Sequence, residues 1–348
     1  KEKVVPTKER NGYLDFVKGF AIFLVIFGHA LQYGSGDSFL TQELYWDDPL
    51  MKAIYSVHMP LFAAVSGYFY WFGLNRRGPI KAAWNKIQQF LPVCIVWGTI
   101  LWIAHGAAGK GWGLKTLIRL CITDYWFLWT IMIASVVVSF VQWTAQERRV
   151  MRVMLYEAAC AVAFLTPDTY WFNAHKFMLG YFVMGFFYGK YGCSWLQKPV
   201  AMLVSVAAWC AMIPFYTREA YIYLSGFTLM GKENWLKQLG IDIYRFAVGA
   251  AGVVMLLCLL KKLYEKMRIG WFFGAIRKVG ERSLSIYILS TYIFTDLLPY
   301  LTQNAEVNYL LTLLESVVML AFCCAVVHCC KGQKWQRGCC LDANIRSI

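Results

Sequence analysis

The sequence predicts an all-α polytopic membrane protein, and three observations carry that prediction. Apolar residues make up 59% of the 348-residue chain and charged residues only 16%, with a mean hydropathy of +0.47, where an average soluble domain is about one-quarter charged. Apolar segments of about 20 residues, enough to cross a bilayer as a helix, recur along the chain with no polar block long enough to fold alone. Lys and Arg crowd alternate connecting segments, as membrane orientation requires. One integral domain over 1–348 is expected, with about ten transmembrane helices and both termini cytosolic. Residues 1–12 form the cytosolic N-terminal segment and 331–348 the cytosolic tail.

Taken in order, the spans centre on Phe23, Phe62, Ile95, Val136, Ala161, Phe182, Val206, Val253, Leu289 and Leu320, the fifth and ninth being short or polar. With the N-terminus inside, the cytosolic segments hold Lys1, Lys3, Lys8 and Arg10, then Arg76, Arg77, Lys81 and Lys86. Arg148, Arg149 and Arg152 follow, then Lys190 and Lys198, a basic loop from Lys261 to Arg282, and finally Lys331, Lys334, Arg337 and Arg346. Outer segments hold fewer, among them Lys52, Lys176 and Arg218, and the 34–51 loop carries Asp37, Glu43, Asp47 and Asp48. One outer loop, Lys110 to Arg119, runs against the rule. The first span is too long for a signal-peptide core and no small-residue cleavage site follows it, so it is expected to stay in the mature chain.

The net charge of +14 does not point to nucleic acid, because the cations flank apolar spans instead of forming a separate basic helix. Nor do the twelve cysteines point to a metal. Cys94, Cys160, Cys210 and Cys258 lie in apolar runs, where cysteine behaves as a small hydrophobe. The denser group Cys323, Cys324, His328, Cys329, Cys330, Cys339 and Cys340 lacks the ligand spacing of structural zinc sites. Reduced thiols and no metal are expected.

Within the first span, YLDFVKGFAIFLVIFGH, ionisable side chains enter an apolar stretch, where they are costly enough to signal function. Eleven residues separate Lys18 from His29, almost three helical turns, so the two share one face about 16 Å apart. Asp15, three residues before Lys18, lies on that face too. The second span, YSVHMPLFAAVSGYFYWF, brings His58 to a similar depth from an antiparallel neighbour.

At these residues the chain resembles the acyltransferase 3 family of integral membrane O-acyltransferases, in its fucose 4-O-acetylase-like branch. The family pattern is a basic residue, ten residues, then His, here Lys18 to His29. HMPLFAAVSGYFY at 58–70, FLPVCIVW at 90–97, YWFLWT at 125–130, FMLGYFVMG at 177–185 and GERSLSIYILS at 280–290 follow in the family's order. The resemblance implies a ten-helix domain that takes an acetyl or similar acyl group from cytosolic acyl-coenzyme A and places it on a glycan hydroxyl. Three positions depart from the family. Lys18 stands where many members have Arg, Lys86 and Gln89 replace an Arg-x-x-Arg pair, and Ser290 stands where a His usually ends the Ser-Leu-Ser-x-Tyr motif.

Such a transfer needs a base for the alcohol's proton, stabilisation of the oxyanion and a grip on the donor's phosphates. His29 is the candidate base or acyl carrier, and His58 orients it, stabilises charge or binds the acceptor. Lys18, Lys86 and Asp15 are the candidate donor site, together with the basic loop. Arg245, Glu315, Trp126 and Ser66 are candidate acceptor residues, and the outer aromatics Tyr45, Trp46, Tyr170, Trp171, Phe172, Tyr221, Tyr223 and Trp235 offer faces for sugar rings. No cofactor is expected to be bound permanently, acetyl-coenzyme A being the donor. The expected partners are acyl-coenzyme A, a glycan or lipid-linked sugar acceptor and the bilayer, at the bacterial inner membrane. A secondary transporter and a non-catalytic subunit of a polysaccharide export system are the rival classes, but no second Lys-x10-His span marks an internal repeat.

Overall fold

The computed structural model describes residues 11–34, 44–107, 109, 112–169, 171–294, 298 and 307–329. The tail 331–348, residues 1–10, and Asp37, Glu43, Tyr170, Cys330, Cys339 and Cys340 lie outside the described residues. Every expected span centre falls inside a helix, and no strand occurs among the described residues.

The chain forms α1 (Gly12–Gly34), a single turn α2 (Leu44–Asp47), α3 (Pro49–Arg77), α4 (Pro79–Ala107), α5 (Leu114–Thr123), α6 (Trp126–Ala145), α7 (Arg149–Leu165), α8 (Phe172–Tyr191) and α9 (Pro199–Met212). Then come a single turn α10 (Ile222–Ser225), α11 (Trp235–Met267), α12 (Trp271–Glu281), α13 (Ser283–Tyr292) and α14 (Tyr309–Cys329). Five of these, α1, α4, α6, α11 and α14, are long and apolar enough to cross a membrane. Length is not what sets α3 and α8 apart; Gly, Tyr, His and Lys dilute their apolar character. The helices α7, α9 and α13 have 17, 14 and 10 residues, short of the roughly 20 that a perpendicular span needs.

The segment from Lys261 to Arg282 is not the loop the charges suggested. Helix α11 runs on to Met267 and α12 follows, because Phe273, Ile276 and Gly280 recur at three- and four-residue spacing and make one apolar stripe beneath the cations. That stripe docks on α1. Phe273 stacks on Phe16 at 5.2 Å, and a Cβ placed on Gly280 would stand 1.7 Å from the Asp15 carbonyl oxygen, so only glycine admits the approach. The stretch from Lys110, itself outside the described residues, to Arg119 ran against the charge rule and leads into helix α5, with Lys115 and Arg119 exposed and Leu120 buried.

Helix α1 carries Lys18 near one end of the bundle and His29 near the other; α3 runs back beside it. Asp48 caps α3 by accepting from Met51 N at 2.9 Å, with Pro49 in the first turn where its missing N–H costs nothing. Helix α8 crosses α3 with backbones in contact: Cβ atoms on Gly67 and Gly185 would fall 1.9 Å from Phe182 O and 1.8 Å from Ala64 O. Small residues at such a crossing let apolar helices associate closely. Tyr70, Phe182 and Phe186 fill the core beside it.

Candidate functional site

The site is built from two ends of one helix. At the first end, Lys18 Nζ pairs with Asp15 Oδ1 at 2.8 Å, the side chains 13% and 3% exposed, and lies over the Phe69 ring of α3 at 5.5 Å. Asp15 therefore compensates a charge that could not otherwise be held so far from water. From α4, Lys86 Nζ donates to Gln89 Oε1 at 3.2 Å and lies over Phe90 at 5.4 Å. Lys86 stands within electrostatic reach of Lys18 and of Arg77, the last residue of α3. The helices thus gather three cations that the sequence scatters over 69 positions. Arg77 counted only as a topological charge in the sequence.

At the other end, α1 and α3 touch where Gly28 packs on Ile54 and Tyr55, which brings His29 and His58 to one level and within electrostatic reach of each other. His58 is 5% exposed, and its Nδ1 meets the Ile54 carbonyl at 2.7 Å. A carbonyl only accepts, so Nδ1 carries the proton and Nε2 keeps a lone pair. His29 packs against Tyr33 and against Phe294, with centroids at 6.1 and 5.5 Å. Its Nδ1 is buried without a hydrogen-bond partner among the described residues, a state proteins rarely leave uncompensated. Gln32, one turn on, lies beside the ring and accepts from Tyr55 OH at 3.3 Å. Tyr55 in turn sets its edge against His58 at 4.8 Å.

Of the other candidates, Trp126 lies near this end, 6.5 Å from Tyr223 and 6.4 Å from His175 between ring centroids. Ser66 lies in α3, half-buried, two turns beyond His58. Glu315 of α14 points its Oε2 at Gly34, without a hydrogen-bond partner among the described residues. Arg245 is fully buried and engaged by the protein itself. It pairs with Asp242, donates to Ser225 Oγ at 2.9 Å and Gly226 O at 2.5 Å, and lies over Phe177 and Phe227. These contacts tie α11 to the end of α10 and include neither histidine.

The outer connections carry their own ion pairs. Asp168 accepts from the Phe227 and Thr228 amides at 2.6 and 2.9 Å and from Lys176 Nζ at 2.9 Å. Burial pushes its carboxyl up, but those donors outweigh it and hold the group below the usual carboxylate range. On the surface, Asp47 is held low by its hydrogen bond from Arg218. Among the described residues no group of three His, Cys, Asp or Glu side chains is placed to hold a metal.

The sequence reading passed over His175. It was masked by its neighbour Lys176, which counted as an outer-loop cation, although an imidazole in an apolar segment is itself a signal. His175 is 5% exposed in the first turn of α8.

Residues 11–329 match the family described as "Acyltransferase domain". The chain is 26% identical over 332 residues to the nodulation protein NolL of Mesorhizobium japonicum, covering 92% of this chain and 86% of that protein. It is 25% identical over 306 residues to the nodulation protein NolL of Sinorhizobium fredii, covering 84% and 80%. No solved structure matches it.

Proposed function

Since the chain belongs to the acyltransferase 3 family and is a multi-pass membrane acyltransferase, we propose that it moves an acetyl or similar short acyl group from cytosolic acyl-coenzyme A to a hydroxyl of a cell-envelope or extracellular glycan. The reading rests above all on one observation. An uninterrupted helix holds a paired, largely covered cation and a half-buried imidazole with a buried Nδ1 in register, eleven residues apart, or about 16 Å along the axis. That spacing suits a donor whose phosphates stay at one face while its pantetheine arm reaches inward.

In this reading Lys18, Lys86 and Arg77 grip the phosphates, as cations grip oxyanions through charge-assisted hydrogen bonds, and Asp15 positions Lys18. His29 takes the proton of the acceptor hydroxyl as its oxygen attacks the thioester carbonyl. The carbon–sulfur bond then breaks, the acyl group stays on the acceptor oxygen, and the coenzyme A thiolate recovers the proton. His58 holds its lone pair at the same level to orient the acceptor or to steady charge. The ten helices all cross the bilayer in this proposal, the short ones tilted or buried among the others. The termini lie in the cytosol of a bacterial inner membrane, as the Lys and Arg bias favours.

The test is incubation of the purified protein with radiolabelled acetyl-coenzyme A and membrane glycans. Label entering the glycan with the parent protein and not with His29→Ala is the expected result. Parent protein that moves no label, yet carries intact glycan across vesicles, would return the chain to the transporter class.

A further inference from the structure

The His175 ring is set more firmly than its position at a helix start requires. Its Nδ1 is 2.7 Å from Thr130 Oγ1 on α6. Thr130 has a single hydroxyl hydrogen, and its oxygen also lies 3.1 Å from the Trp126 carbonyl, which only accepts; both contacts are satisfied together only when that hydrogen goes to the carbonyl. The hydroxyl therefore accepts from the ring: Nδ1 is protonated, and Nε2 is an acceptor with no hydrogen-bond partner among the described residues. The same tautomer is imposed on His58 by the Ile54 carbonyl. In this hydrogen-bond assignment two imidazoles on different helices offer Nε2 as an acceptor.

A chain of aromatic contacts links them. Tyr55 stands against His58, Tyr223 lies 6.3 Å from Tyr55, and Trp126 lies between Tyr223 and His175. Trp171 meets Tyr223 edge-on at 5.0 Å. Such rings are apolar on the face and offer polar tips at the rim, which matches a sugar ring with C–H groups on its faces and hydroxyls around its edge. A neutral imidazole acceptor recognises an O–H donor; it offers nothing to an ether oxygen or an anion. The nearest fixed cation in sequence, Lys176, is already committed to Asp168.

We propose that His175, held by Thr130, forms with Trp126 and Tyr223 a binding subsite for a neutral saccharide ring, Nε2 accepting from a hydroxyl other than the one acylated. The inference rests on the O-acyltransferase reading and names the part of the chain that selects the acceptor. His175 is here a binding residue, distinct from the proton transfer assigned to His29.

Two substitutions separate recognition from packing. His175→Asn keeps an amide donor near Thr130 and removes the acceptor at the Nε2 position; His175→Gln restores a polar atom there. The full-length protein in detergent is probed with p-nitrophenyl hexosides and their mono-deoxy analogues, by saturation-transfer NMR and by acetyl transfer. His175→Asn should weaken hexoside binding and raise the acceptor KM about tenfold, with donor KM unchanged, and His175→Gln should recover part of the loss. One deoxy analogue should bind the parent and His175→Asn alike. Equal hexoside binding by the parent and His175→Asn, or no saccharide binding by the parent, overturns the subsite. Saccharide binding lost in His175→Asn without any transfer by the parent would support the subsite and overturn the transferase reading instead.

Discussion

Gln89 accepts a hydrogen bond from Lys86 Nζ at 3.2 Å, one turn along α4. The residue that breaks the family's pair of arginines is thereby employed in aiming the remaining cation. Lys86→Ala should raise the donor KM about tenfold, and Gln89→Ala by less, because the charge survives and only its direction is lost. Steady-state kinetics with acyl-coenzyme A varied decides this; a Gln89→Ala protein worse than Lys86→Ala would contradict it.

His29→Ala should lower transfer by about 10²-fold to 10⁴-fold, the range lost with a general base, while the protein stays folded. A variant with near-parental turnover and a lowered melting temperature would make His29 a packing residue.

Lys18→Ala should raise the KM for the donor and leave that for the acceptor, since helix geometry keeps it about 16 Å from His29. Lys18→Arg should retain much of the activity through its charge and reach. If Lys18 exists only to neutralise Asp15, the substitution should destabilise the fold without discriminating between substrates. Kinetics with each substrate varied in turn, alongside thermal unfolding, distinguishes the two.

Asp168 predicts a pH dependence. Its folded-state pKa is depressed, so its contribution is present above the unfolded value of about 3.9 and is lost as pH falls through the folded value. Asp168→Asn should cost about 1–3 kcal/mol at pH 7, and the gap to the parent should close in acid below about pH 4. Melting curves at both pH values test it; a gap that persists in acid refutes the ionic origin.

Orientation is open to labelling. Asn75 and Asn234 are exposed at opposite ends of the bundle. A cysteine at Asn75 should react with impermeant maleimide only from the cytosolic side and one at Asn234 only from outside. The reverse pattern would invert the topology.

The Lys18–His29 register was legible because one helix fixes it: periodicity alone determines which residues share a face and how far apart they stand. The shared level of His29 and His58 followed from two antiparallel helices consecutive in the chain. Other relationships were closed to sequence reading. Asp242, three residues before Arg245, marked a partner for that charge, but Ser225 and Gly226, at the end of a single helical turn, gave no sign that they complete the set. Thr130 and His175 lie 45 residues apart on helices that meet only in three dimensions. Across Lys261–Arg282 the run of cations hid the apolar stripe of Phe273 and Ile276 in α12, and a charge count alone described the segment as a loop.

The contact of α3 with α8 at Gly67 and Gly185 leaves no side-chain layer between the two backbones. Small residues here let the two helices pack backbone to backbone, so parting them would expose main chain that nothing else covers. His58 rides on one helix and His175 on the other. Drawing these two rings apart would therefore have to break the glycine contact or bend one of its helices.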